Sequence, residues 1–346
     1  MLYNCENVHG GDIYGEEVVL DFSANTNPFG TPQGVLDAVT QALSQVHHYP
    51  DPYCRKLVKA IAEHEEVPQN YILCGNGAAE LIYAYCETLR PKRAVELAPT
   101  FLEYTLGLER VGCNVMRYKL KQKKGFMLDD GFLAFLEKSA PAVVFLCNPN
   151  NPTGKAIDPH FLEEILKYCR HKSIRLFIDE CFLDLADRGE SLKTCLKGNP
   201  HLFILKAFTK SYGMAGIRLG YCMSSDTRFL TRMSQAVQPW NVSILAQAAG
   251  VAALQEKNFL WKTRSMVLLQ RQWLTEELEK MGYWVCPGNA NYLLFRGPDD
   301  LHEKLKQKKI AIRNCSNYRG LGPGWYRIAV RLPDENQALI QAMKEV

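Results

Sequence analysis

No apolar run in this 346-residue chain approaches the roughly 20 residues of a membrane-spanning helix; runs such as Ala142 to Cys147 stop far short. The opening stretch, MLYNCENVHGGD, has neither a basic leader nor an apolar segment, so no secretory signal is expected. A surplus of one charge is also missing. The net charge is +4, and Lys and Arg are spread along the chain instead of gathered into the basic arm or face that nucleic-acid binding requires. The one dense run, Lys119 to Lys124, reads as a solvated turn. The twelve cysteines form no CxxC pair and have no matching histidine spacing, so no metal is expected. They are scattered singly, some such as Cys147 and Cys169 inside apolar segments, as reduced buried thiols are. These absences predict a cytoplasmic, fully folded chain without membrane or nucleic-acid partners.

Repeats, low-complexity tracts and long linkers are absent as well, and what remains is an alternation. Residues 1–33, with the strand-like VVLDF at 18–22, read as an N-terminal arm that contributes to the active site and small domain. From Gly34, helical stretches (Val35 to Val46, Arg55 to Glu65, Ala78 to Leu89) interleave with short apolar runs (Ala94 to Leu97, Ala142 to Leu146, Leu176 to Ile178, Phe203 to Ala207). That pattern predicts βαβ units and a mostly parallel sheet between helices over residues 34–240. Residues 241–346 read as a smaller α+β domain: a long helical stretch from Ile244 to Lys280, strands near Tyr292, Ile310 and Tyr326, and a last helix from Glu335. Ligands of such sheets sit beyond the carboxyl ends of the strands. The polar segments Asn148 to Gly154, Asp179-Glu180 and Thr209-Lys210 each follow an apolar run, so they are expected to converge on one rim.

KAFTKSYGMAGIRLGY, 206–221, sets Lys210 between a strand-like run and a glycine-rich turn. Taken alone, Lys210 reads first as a surface lysine. Thr209 and Arg218 flank it with a hydroxyl and a guanidinium suited to a phosphate, and a lysine amine beside a phosphate site is the arrangement of a Schiff-base cofactor. Asp179 ends the run RLFID and reads either as a helix cap or as the partner that keeps a cofactor ring nitrogen protonated. In NPNNPTG, 148–154, two X-Pro bonds hold Asn151 as an amide donor towards a ring oxygen or a substrate carboxylate; the plain alternative is a proline-rich turn. GNGAAE, 75–80, runs into a helix, so the amides after Gly77, those of Ala78 and Ala79, are placed to hold a phosphate at the positive end of the helix dipole.

Taken in order, YPDP (49–52), GNG (75–77), PTFLEY (99–104), NPNNPTG, Asp179-Glu180, Thr209-Lys210 and AGIRLGY (215–221) closely resemble the fold-type I pyridoxal-phosphate enzymes, within them the histidinol-phosphate aminotransferase subgroup. The resemblance covers nearly the whole chain. It implies an α/β, aspartate aminotransferase-like fold with a large and a small domain. It also implies that Lys210 carries pyridoxal 5′-phosphate as a Schiff base, that Asp179 holds the ring nitrogen and that Tyr104 stacks on the ring. Gly77, Ala78, Ala79, Thr209 and Arg218 then hold the phosphate. Tyr49 reaches the phosphate of the neighbouring subunit's cofactor, so the active unit is a homodimer with shared sites; core packing is the alternative for Tyr49 and Tyr104.

One departure points to a particular reaction. The subgroup reads Asp-Glu-Ala-Tyr where this chain has Asp179-Glu180-Cys181-Phe182, and Phe182 has no hydroxyl to donate to the ring's 3-oxygen. HGGD (9–12) and DFSANTNPFG (21–30) are similar to the arm of the L-threonine-O-3-phosphate decarboxylases of cobalamin biosynthesis, which share this phenylalanine. That resemblance makes His9, Gly10, Asn25, Arg313 and Arg327 substrate-binding residues, with Asn151 beside them. In this chemistry the α-carbon bond perpendicular to the ring plane is the one that breaks. Arginines that grip a phosphate leave the carboxylate free to take that position. The implied substrate is a small phosphorylated amino acid, O-phosphothreonine or O-phosphoserine, and the product an aminoalkyl phosphate for the cobamide nucleotide loop. Histidinol-phosphate aminotransferase is the alternative activity. A DNA-partnered sensor would need a helix-turn-helix module and a basic face, for which the chain has no room.

Overall fold

Residues 9–14 and 17–346 are described by the computed structural model. Met1 to Val8, over which most of the no-signal reading runs, lie outside the described residues, as do Gly15 and Glu16 of the arm. The chain's strands are β1 (Leu20–Asp21), β2 (Ile72–Gly75), β3 (Arg93–Ala98), β4 (Asn114–Lys119), β5 (Val143–Cys147), β6 (Arg175–Asp179), β7 (Leu202–Ala207), β8 (Gly220–Met223), β9 (Trp284–Val285), β10 (Tyr292–Arg296), β11 (Ile310–Ala311), β12 (Arg313–Asn314) and β13 (Trp325–Ala329). Seven form one sheet in the order β2-β8-β7-β6-β5-β3-β4. Only β8 runs antiparallel to its neighbours, so the expected mostly parallel sheet is borne out.

β5 and β7 are buried along their whole length, which is why they read as unbroken apolar runs instead of alternating ones. Alternation persists in which layer each side chain enters. Leu146, Ile178 and Ile204 enter a core shared with α1 (Gln33–Ala42) and α2 (Arg55–Glu65), whereas Phe145, Phe177 and Phe203 enter one shared with α3 (Ala78–Leu89). In that second layer Phe145, Phe177 and Phe203 stack in sequence at 4.4 and 4.9 Å between centroids.

A second, antiparallel sheet has the order β12-β13-β10-β9 and packs with the helices Phe259–Lys280 and Pro333–Lys344 around a separate core. β1 pairs with β11, which fastens the arm to this part of the chain. The continuous helical stretch expected from Ile244 to Lys280 is instead two helices, Ile244–Ala253 and Phe259–Lys280. The polar run Gln255 to Asn258 offers no face to bury, and Asn258 turns left-handed at φ 63°. Ala246, Ala249 and Ala253 pack with Val35 and Leu57 in the first core, so only the second helix serves the small sheet.

Among the described residues no helix is long and apolar enough to cross a membrane, and no cluster of His, Cys, Asp or Glu is placed to hold a metal ion. All the described cysteines are free thiols, and every one except Cys195 is buried.

Candidate active site

β5, β6 and β7 lie in register, with Cys147 opposite Asp179 and Asp179 opposite Leu205, so their carboxyl ends form one rim. Beyond that rim lies a cavity of about 380 Å³. Its walls come from the arm (His9, Gly10, Asn25), the start of α3 (Ala78, Ala79), the strand ends (Asn151, Asp179, Phe182, Thr209, Lys210), Arg218, and the small sheet (Arg313, Arg327). Segments separated by three hundred residues thus meet in one place.

The strand end of β6 directs Asp179 into the second layer, where it is 5% exposed. One carboxylate oxygen accepts from the Cys181 amide at 2.9 Å and the other from the Tyr104 hydroxyl at 2.6 Å. Burial holds this carboxyl above its ordinary value, so a cation against it would be stabilised. No hydrogen bond or ion pair joins the Lys210 amine to another described residue, and it lies 5.8 Å from the centroid of the Phe182 ring. Burial, then the positive charges of Arg327 and Arg218, lower its pKa to about 8, well into the range where an amine serves as a nucleophile.

The first-turn amides of α3 have no partner within the helix, and Ala78 and Ala79 present this end to the cavity. Gly77 before them has φ +80°, and a Cβ there would lie 2.7 Å from Nη2 of Arg218. Only glycine lets the guanidinium come so close to the helix start. Helix amides, the Thr209 hydroxyl and Arg218 together form a cradle suited to a phosphate.

From the small sheet, β12 and β13 place Arg313 and Arg327 directly across from one another in the cavity wall. They are 8% and 6% exposed. Arg327 donates to the side-chain oxygen Oδ1 of Asn151 at 2.5 Å and to the Ser23 backbone carbonyl at 2.8 Å, while its Nε is buried without a partner among the described residues. Because Arg327 occupies the oxygen of Asn151, the amide nitrogen is the end left to donate. Arg313 donates to Asn317 at 2.8 Å and to the Asn314 carbonyl. Asn25 is 1% exposed, and neither end of its amide has a hydrogen-bond partner among the described residues. Buried polar atoms of this kind are costly unless a ligand satisfies them. His9 sits 2.6 Å from Glu103, whose other oxygen accepts from Tyr83 at 2.7 Å. Gly10 lies against the Ser23 carbonyl, where a Cβ would come within 2.6 Å.

Two of the expected site residues, Tyr104 and Tyr49, lie outside this cavity. Tyr104 does not line the cavity: its ring is fully buried beside Phe145 and Phe177, and its hydroxyl is spent on Asp179. Phe101, three residues earlier, is the aromatic of that segment that does line it. Helix spacing explains the exchange, since Phe101 precedes the first turn of Leu102–Arg110 while Tyr104 lies inside it and turns to the core. Tyr49 is 78% exposed and stacks on Trp240 at 4.6 Å, outside the cavity of its own chain. Sequence reasoning also passed over Glu103 and Cys181, both in the wall. Glu103 lies within PTFLEY, but nothing in that motif announces a partner 94 residues away.

A threonine-phosphate decarboxylase of Salmonella typhimurium is 36% identical to this chain, the match covering 98% of the chain and 96% of the relative. A histidinol-phosphate aminotransferase of Caldanaerobacter subterraneus is 30% identical, covering 93% and 92%. Among solved structures, the histidinol-phosphate aminotransferase from Clostridium acetobutylicum superposes with a TM-score of 0.88 at 28% identity, over 94% of this chain and 98% of that one. The family described as aminotransferase class I and II matches residues 17–343, and the chain belongs to it.

Proposed function

We propose that this enzyme removes the carboxylate of a small phosphorylated amino acid, O-phospho-L-threonine foremost and O-phospho-L-serine next, with pyridoxal 5′-phosphate as cofactor. The residues fit that group: an amine lowered to about 8, a buried carboxylate and a phosphate cradle line one cavity. When bound, the cofactor supplies an aldehyde for amines to condense with and a cationic ring that takes up the electron pair released at the α-carbon. Asp179, fixed by Tyr104 and the Cys181 amide, keeps the ring nitrogen protonated. Phe101 would pack against the cofactor ring, and the Asn151 amide would donate to its ring oxygen or to the substrate carboxylate. Lys210, whose amine would hold the cofactor, would also be the group placed to give a proton to the α-carbon. The active unit is a cytoplasmic homodimer in which the exposed Tyr49 reaches the neighbouring subunit's cofactor phosphate.

One observation carries the choice of substrate: Arg313 and Arg327 are cross-strand partners, both buried. Like charges directly opposite destabilise a sheet, and the pairing makes sense where a multiply charged anion bridges it. A phosphate gripped by these two arginines would leave the substrate carboxylate unclamped and free to depart. Phe182 in the cavity wall, in place of a hydroxyl-bearing aromatic, and the arm residues Gly10 and Asn25 favour decarboxylation over transamination.

The test compares O-phospho-L-threonine with L-threonine. Several hydrogen bonds to a charged group, each about 1.5–3 kcal/mol, predict a preference of roughly a thousandfold or more in kcat/KM for the phosphorylated compound. In Arg313→Ala that preference shrinks at least about tenfold. Equal turnover of the two compounds would contradict the reading.

A further inference from the structure

The strand alternation that sends Asp179 into the cavity layer sends Lys206 of β7 to the opposite face of the sheet. Lys206 is 6% exposed there, and burial of a cation demands partners. It has two. Glu65, at the end of α2, accepts from its amine at 2.8 Å, and Asp184 lies 3.0 Å away. The Tyr221 hydroxyl and the Lys193 amine complete the coordination of Glu65, at 2.5 and 3.2 Å. Lys206 therefore does not depend on Asp184 alone for neutralisation.

Asp184 has a second bond. Its other oxygen accepts from the Ser211 hydroxyl at 2.9 Å. Ser211 follows Lys210 directly and is 1% exposed; its carbonyl accepts from Asn27 at 2.8 Å. Asp184 itself belongs to the short turn Leu183–Leu185, two residues after Phe182 and five after Asp179. It thus bonds, from the end of β6, both flanks of the segment that carries Lys210 at the end of β7.

We infer that Asp184 is a positioning residue: through Ser211 and Lys206 it sets the separation between Lys210 and Asp179, the two groups that hold opposite sides of the cofactor. The inference rests on the cofactor assignment above. Asp184 does not line the cavity. A group held at both its aldehyde and its ring nitrogen is sensitive to this separation, whereas one held by the ring and phosphate without Lys210 is not.

Binding of two cofactor forms to cofactor-stripped full-length protein distinguishes these cases. Pyridoxal 5′-phosphate engages Lys210 and Asp179 together; pyridoxamine 5′-phosphate has no aldehyde and cannot be joined to Lys210. In Ser211→Ala, which removes the bond to Asp184 without touching the buried charges, the Kd of pyridoxal phosphate should rise about tenfold, the loss of one hydrogen bond to a charged acceptor. That of pyridoxamine phosphate should stay within about twofold. Asp184→Asn should give the same asymmetry. Equal weakening of both forms, or of neither, in a variant that melts like the wild type would overturn the inference. Failure of the wild-type protein to bind either form would overturn the cofactor assignment instead, and the inference with it.

Discussion

Lys210 is the residue on which the chemistry turns, and its state is set by its surroundings. An exposed lysine is a poor nucleophile at neutral pH because nearly all of it is protonated. Removal from water and the nearby positive charges of Arg327 and Arg218 bring Lys210 to about 8. Since the folded value lies below the ordinary one, the neutral amine becomes available as pH rises through about 8. The rate of cofactor uptake by the stripped protein should therefore rise with pH to a midpoint near 8 and then level off. Stopped-flow absorbance near 420 nm measures this, and a rise that begins only near pH 10 would contradict the burial argument. Lys210, Asp179 and Asn151 were legible in the sequence because each follows an apolar strand directly, and their side chains meet where that placement predicts. The place of Tyr104 was not legible. Which of two aromatics three residues apart faces a cavity depends on where the helix between them begins.

At the scale of elements, the ends of β6 and β7 are fixed from behind by α2. Glu65 is 2% exposed, and Lys206, Tyr221 and Lys193 draw its carboxyl down to about 2 despite burial. The folded value lies below the ordinary one, so the stabilisation is present above about pH 4.5 and lost as pH falls towards 2. A carboxyl held at about 2 instead of 4.5 contributes on the order of 3 kcal/mol at neutral pH. Glu65→Gln should lower the melting temperature clearly at pH 7, and the gap to the wild type should close as pH falls from about 4.5. Parallel pH profiles for the two proteins would show that the pair contributes nothing. No sequence pattern announced this network, because Lys206 and Glu65 lie 141 residues apart and each reads alone as a surface charge. The arginine pair was half legible. Arg313 and Arg327 stood out as candidates, but their direct opposition follows from the register of β12 on β13, which alternation alone does not determine.

At the scale of the whole molecule, the alternation of strands and helices gave the sheet, and the motif order gave the rim. The short strands β2 and β8, which close one edge, were not separable from their glycine-rich neighbours in the sequence. Likewise, the helix break at Gln255 to Asn258 was hidden by the apolar content on either side. The molecule that results brings an arm, a phosphate cradle, a lysine and a buried arginine pair around one cavity. This arrangement is suited to expelling carbon dioxide instead of exchanging an amino group. Incubating the cofactor-loaded enzyme with O-phospho-L-threonine tests it most directly, with released carbon dioxide and the absorbance of the bound cofactor followed together. Stoichiometric carbon dioxide, an aminoalkyl phosphate product, and a cofactor that returns to its aldehyde form without added keto acid are expected. Accumulation of the pyridoxamine form, reversed only by 2-oxoglutarate and without carbon dioxide, would contradict it.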